Sequence, residues 1–261
     1  MNKLTRIFFM LTVYAMPHIS FAQFIDNQVI AHRGAWKADG LPQNSLASLQ
    51  RAIELGCAGS EFDVHLTKDD VLVVNHDAEF YDIDIATATY AELLNKKHPN
   101  GESIPTAEEY LRAGMKQQNT KLIFELKTSK LGKERTLYAA DLAVQLVKKL
   151  GAEAWVEYIA FDYDACKQFI KRDPNAKVYY LNGDIDPEQV KRDGLYGLDY
   201  HFSVYKKNPT WIREAKSLGL VINAWTVNTE DEMRLLLNQH VEFITTDEPA
   251  LLLDVIKKQK K

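Results

Sequence analysis

Eight short runs rich in Val, Ile, Leu and aromatic residues recur along this chain, each followed by a stretch with helical periodicity. They fall at residues 29–32, 61–66, 121–127, 158–161, 177–181, 198–204, 221–227 and 242–246. Runs this apolar suit parallel strands, which are covered on both faces. Parallel strands need crossover helices, and eight strand–helix units close into a TIM (β/α)8 barrel. Such a barrel takes about 250 residues, and the chain has 261.

Helix signals lie between the runs. Asn44 is placed to cap a helix whose Leu46, Leu49 and Ile53 form one stripe ending at Gly56. Thr106 with Glu109, and Thr229 with Glu232, have capping-box spacing. Asp186-Pro187 and Asn208-Pro209 each put a capping side chain before a first-turn proline, and Gly151 and Gly219 stand where helices end. One unit departs from this rhythm. After the second run, residues 71–75 read as another short strand, and residues 77–105 form a long, acidic stretch with a short helix expected near 90–94. Loops of that length in a compact domain are usually functional, so an insertion over the barrel mouth is expected there. No Pro/Gly/Ser-rich linker interrupts residues 23–261, which read as one domain.

Residues 1–22 differ in character. Lys3 and Arg6 precede an apolar run ending near Met16, and Ser20-Phe21-Ala22 offers small residues for cleavage. This is the pattern of a secretory signal peptide; the run is shorter than the roughly 20 apolar residues of a membrane span. The expected location is therefore outside the cytoplasm, in a bacterial periplasm, with no stable membrane insertion once the segment is removed. Its loss leaves 30 of the 32 basic side chains against 36 acidic ones. That balance argues against a nucleic-acid binder but allows one small anionic substrate held by a few placed cations. Cys57 and Cys166 are too few for a disulfide framework and read as two buried thiols, a bridge between them being the alternative.

Catalytic groups in such barrels sit at the carboxyl ends of the strands. His32-Arg33-Gly34 ends the first run, Glu61 and Asp63 share a face of the second, His76 closes residues 71–75, and Glu125 and Lys127 share a face of the third. Three carboxylates without a Cys favour a hard divalent cation, Mg²⁺ or Ca²⁺, over zinc. Two histidines could serve as acid and base near neutral pH. Arg33 and Lys127 could grip phosphate oxygens, the first as a fork and the second as a point charge. The competing expectation is an internal salt bridge among Glu61, Glu125 and Lys127.

Taken in order, these residues resemble a known family. Ala31-His32-Arg33-Gly34, Pro42-Gln43-Asn44-Ser45, Gly59-Ser60-Glu61-Phe62-Asp63-Val64, Thr67-Lys68-Asp69 and Val74-Asn75-His76-Asp77 are similar to the signature of glycerophosphodiester phosphodiesterases. Ile104-Pro105-Thr106, Phe124-Glu125-Leu126-Lys127, Ala224-Trp225-Thr226-Val227-Asn228 and Ile244-Thr245-Thr246-Asp247 extend the resemblance, which is weakest over the middle strands. It implies a metal at Glu61, Asp63 and Glu125, acid–base work by His32 and His76, and phosphate contacts from Arg33 and Lys127. Trp225 would line the pocket for the glycerol or head group, barrel packing being its alternative. The implied reaction cleaves glycerophosphodiesters to an alcohol and sn-glycerol 3-phosphate, with water or a neighbouring glycerol hydroxyl as nucleophile.

Two departures are visible: Gln43 stands where the family usually has Glu, and Phe80-Tyr81-Asp82-Ile83-Asp84 occupies the place of the usual Arg-Thr-Thr. His201 and Ser203 share a face of the sixth run and read as a buried hydrogen-bonded pair. The alternatives are a related barrel phospholipase or phosphodiester lyase acting on lipid head groups, and a periplasmic binding protein without catalysis. A lipid enzyme would call for a basic amphipathic helix, which the sequence does not show; a zinc amidohydrolase would call for two histidines two apart on the first strand.

Overall fold

The computed structural model describes residues 24–259; the expected signal segment lies outside them. Eight parallel strands run Val29–Ala31, Gly59–Leu66, Lys121–Leu126, Val156–Ala160, Val178–Tyr180, Gly197–His201, Val221–Trp225 and Phe243–Thr246. Each pairs with the next, and the first pairs with both the second (Ile30 with Gly59) and the eighth (Val29 with Ile244), so the sheet closes into a barrel. Helices follow every strand, from Leu46–Leu55 after the first to Pro249–Gln259 after the eighth. The fold is the TIM barrel expected from the alternation of elements.

The third strand shows how the pattern works. Leu122, Phe124 and Leu126 point outward into the main core against the helices. Ile123 points inward, with Ile30, Ile159, Tyr179 and Leu181 forming an apolar floor inside the barrel. The next inward positions are Glu125 and then Lys127. The barrel interior therefore changes from apolar to charged toward the carboxyl ends of its strands, and this change places the site.

Strand ends mostly differ from expectation by one or two residues, as short apolar runs allow. The sixth strand differs more: it stops at His201, and Phe202–Lys207 is a helix. Ser203 is therefore in a first helical turn, its hydroxyl 2.7 Å from His201 Nδ1, and the pair is exposed rather than buried. Two further caps are corrected. Ser45, not Asn44, caps Leu46–Leu55. Asn208 ends the helix before it, its amide donating to the Val204 carbonyl, while Thr210 precedes Trp211–Ser217. Thr106 with Glu109 and Asp186 with Pro187 cap as expected. Cys57 and Cys166 are free and buried, and burial pushes the Cys57 thiol up to about 12.

Leu72–Val74 pairs antiparallel with the second strand, Val64 opposite Val74. Beyond it come the hairpin Glu79–Phe80 with Ile83–Asp84 and the helix Tyr90–Leu93. Val73, Phe80, Ile85, Ala88, Leu93 and Ile104 give this segment a small core of its own.

Candidate active site

The chain leaves the first strand through a tight turn. Arg33 (φ 55°) and Gly34 (φ 78°) both adopt left-handed backbone conformations. A Cβ on Gly34 would lie 2.4 Å from Ser48 Oγ, so only glycine fits. For Arg33 the strain costs roughly 1–2 kcal/mol and is offset by bonds at both ends of the residue. Its N–H donates to Glu61 Oε2 at 2.8 Å, and its carbonyl accepts from Asn44 N at 3.0 Å and Ser48 Oγ at 3.1 Å. The guanidinium donates to Gln43 Oε1 at 2.6 Å and stands 3.6 Å from Asp63 Oδ2. Gln43, though neutral, still orients the arginine.

Glu61, Asp63 and Glu125 converge, and one carboxylate oxygen from each lies within 4.8 Å of the others. All three are buried. Register explains the meeting: Asp63 pairs with Glu125 across the strands, and Glu61 is two residues below on the same face. Lys127 Nζ donates to Asp63 Oδ1 at 3.1 Å and Glu125 Oε1 at 2.7 Å. The internal salt bridge weighed above thus exists in part, but it does not include Glu61. Glu61 Oε1 is buried without a hydrogen-bond partner among the described residues.

The charges do not balance. Three carboxylates face Lys127 and Arg33, so one negative charge is left over. Two like charges at 4 Å repel by about 4 kcal/mol at an effective dielectric constant near 20. Burial, then the charges of Asp63 and Glu125, push Glu61 well above the usual carboxylate range. Burial and Asp63 push Glu125 up to about 7 against the pull of Lys127. Burial acts on Asp63 as well, yet Lys127, His76 and Arg33 outweigh it and hold that acid below its ordinary value. An all-oxygen donor set with excess negative charge and one orphaned oxygen fits a hard divalent cation.

The two histidines flank this cluster. His32 Nδ1–H donates to Asp247 Oδ1 at 2.7 Å, and Asp247 Oδ2 accepts from Asn228 Nδ2 at 2.7 Å. His76 Nδ1–H donates to Asp77 Oδ1 at 2.7 Å. Each imidazole thereby keeps Nε2 free. Burial holds His76 below its ordinary value despite the opposing charge of Asp63.

His32, Arg33, Glu61, His76, Glu125 and Lys127 all line one cavity of about 110 Å³. Trp225 lines it too, its indole N–H donating to the Asp199 carbonyl at 2.8 Å, with Phe161 edge-on at 5.5 Å. Every site residue expected from the sequence is therefore brought together. Arg33 and His76 also border an open groove of about 790 Å³, which runs between the Trp36–Gln43 loop and the segment carrying Asp77 and Tyr81.

The sequence reading missed several contributors. Asn44, taken as a helix cap, instead donates to Asp63 Oδ2 at 2.9 Å and accepts from its N–H at 3.0 Å. Asp247 and Asn228 were visible in motifs but had no assigned partner. Asp199 was not singled out, although an acid inside the apolar run Leu198–Tyr200 was a signal that could have found it.

Residues 32–251 match the glycerophosphoryl diester phosphodiesterase family. A glycerophosphodiester phosphodiesterase of Caldanaerobacter subterraneus is 28% identical over 249 residues, covering 88% of this chain and 98% of the relative. The crystal structure of a glycerophosphodiester phosphodiesterase from Parabacteroides distasonis superposes with a TM-score of 0.88 at 44% identity, covering 92% of this chain and all of that one. An Oleispira antarctica phosphodiesterase, solved with the product sn-glycerol-3-phosphate, gives a TM-score of 0.75 at 25% identity over 88% of this chain and 97% of that one. With the family's span covering nearly all of the described barrel, this chain belongs to the glycerophosphoryl diester phosphodiesterase family.

Proposed function

We propose that this protein hydrolyses glycerophosphodiesters to an alcohol and sn-glycerol 3-phosphate. One observation carries the reading: Glu61, Glu125, two imidazoles and two cations border a single small cavity, and Asp63 converges with those two buried acids. A cavity of about 110 Å³ is well below the roughly 300–1,000 Å³ of drug-sized sites, so it suits a glycerol-sized moiety. The open groove beyond Arg33 and His76 suits a departing alcohol of variable size.

Arg33 and Lys127 hold the phosphate oxygens, and Trp225 walls the glycerol side. One imidazole takes the proton from the nucleophile while the other delivers a proton to the departing alkoxide; water as nucleophile gives glycerol 3-phosphate directly, whereas the neighbouring glycerol hydroxyl would close a cyclic phosphate that a water molecule then opens. The hydrogen bond to Asp247 keeps His32 in the tautomer with Nε2 available. A Mg²⁺ or Ca²⁺ ion held by Glu61, Asp63 and Glu125 would supply neutralisation of the phosphodiester charge.

Export of the chain is part of the proposal, supported by the signal-like pattern of residues 1–22, as is one domain over residues 23–261 with residues 77–105 inserted. Among the described residues no helix is long and apolar enough to cross a membrane. The test is release of glycerol 3-phosphate from a panel of glycerophosphodiesters, with and without EDTA, beside phospholipid vesicles. Chelator-sensitive release from the soluble diesters is expected. Cleavage confined to vesicles would favour the phospholipase alternative, and binding without turnover would favour a silent binding protein.

A further inference from the structure

Asp199 points into the barrel from the sixth strand and is 2% exposed. It lines the same small cavity as Glu61, Glu125 and Trp225. Asn223 pairs with it across the strands and gives its amide to Thr245 Oγ1 at 2.8 Å, and Asp199 Oδ1 has no partner among the described residues. Among the described residues no lysine or arginine forms an ion pair with it, and burial raises its carboxyl above the ordinary value. The backbone bonds of the strand do not involve this side chain, and the carbonyl of the same residue is occupied by Trp225. Buried polar atoms are nearly always satisfied, and the exceptions cluster where a ligand completes the set.

The surroundings narrow the ligand. Ile159, Phe161, Leu181 and Trp225 give the cavity apolar walls, with Thr226 and Thr245 as its uncharged polar members. A carboxyl group set in such a wall can exchange hydrogen bonds with a neutral hydroxyl and disfavours a second phosphate by like charge, and a cavity of about 110 Å³ fits a short polyol chain. We propose that Asp199 is a substrate-binding residue that hydrogen-bonds a hydroxyl of the glycerol moiety and so makes the cavity select a polyol over a plain alkyl group. The assignment rests on the phosphodiesterase reading above and adds the source of its glycerol specificity.

The experiment compares kcat/KM for glycerophosphocholine and for bis(4-nitrophenyl) phosphate, a diester without glycerol, in the metal-loaded protein. Asp199→Ala and Asp199→Ser should each lose at least tenfold on glycerophosphocholine and less than threefold on the nitrophenyl diester. Asp199→Asn, which keeps a donor and an acceptor, should stay within about fivefold on both. Equal losses on the two diesters, or no loss on either, would overturn the assignment. A readout that needs no variant is competitive inhibition of nitrophenyl diester hydrolysis: glycerol 3-phosphate should bind at least tenfold more tightly than propyl phosphate, and equal inhibition would also overturn it. Failure of the underlying reading looks different, because the unmodified protein would then not turn over glycerophosphocholine at all.

Discussion

The imidazole of His32 and the carboxylate of Asp247 meet at 2.7 Å, although 215 residues separate them in the chain. Strand closure makes the contact: the first strand pairs with the eighth, and each residue sits just past the end of its strand. Asp247 is itself held by two bonds with Asn228: its carboxylate accepts from Asn228 Nδ2 at 2.7 Å, and its N–H donates to Asn228 Oδ1 at 2.9 Å.

That relationship predicts a graded loss of turnover. His32→Ala should lower kcat by about 10²–10⁴, the usual worth of a positioned acid or base. Asp247→Asn should lower it by a smaller factor, on the order of 10–10³, with the melting temperature nearly unchanged. Steady-state kinetics with thermal melts check both. An Asp247→Asn enzyme with full kcat would remove the orienting role.

Metal binding and catalysis should separate by residue. Glu61→Gln and Glu125→Gln should each weaken Mg²⁺ and Ca²⁺ binding by at least tenfold in titration calorimetry, whereas His32→Ala should leave it within about threefold. Comparable metal loss in His32→Ala would contradict the division of roles.

Lys127 holds Asp63 and Glu125 together from a side chain only 17% exposed. Burial alone would favour its neutral amine, but those two carboxylates outweigh it and hold the lysine above its ordinary value. Removing one partner of a buried ion pair costs about 3–5 kcal/mol. Lys127→Met should therefore lower the melting temperature in EDTA by several degrees, and saturating Mg²⁺ should recover part of the loss. A melt indifferent to the substitution would show that the pair contributes nothing.

Asp199 should leave a mark on stability as a function of pH. Burial pushes its carboxyl from 3.8 up to about 8, with Asn223 opposing the shift and Glu125 adding to it. Between those values the folded chain keeps a proton that the unfolded chain releases, so this group's contribution falls as pH rises through the window. Asparagine does not titrate. The Asp199→Asn variant should melt higher than the parent at pH 9, by roughly 2–12 °C if the unpaired charge costs about 1–3 kcal/mol, and the gap should shrink toward pH 4. Parallel melting curves across that range would falsify the buried-acid assignment.

The barrel and most of the site were legible in the sequence because both depend on local periodicity. Inward and outward residues alternate along each strand, so Glu61 with Asp63 and Glu125 with Lys127 had to share faces. Eight such strands with intervening helices left few other ways to close the sheet. Hydrogen bonds between distant segments carry no such period. Asn44 has the composition of a helix cap, and only the approach of the second strand makes it a partner of Asp63. The sixth strand reads as extended through residue 204, yet His201 turns the chain into a helix there. The sequence by itself determined which side chains could enter the barrel; closure of the sheet decided which of them touch, pairing Asp247 with His32 and leaving Glu61 and Asp199 each with an unsatisfied oxygen.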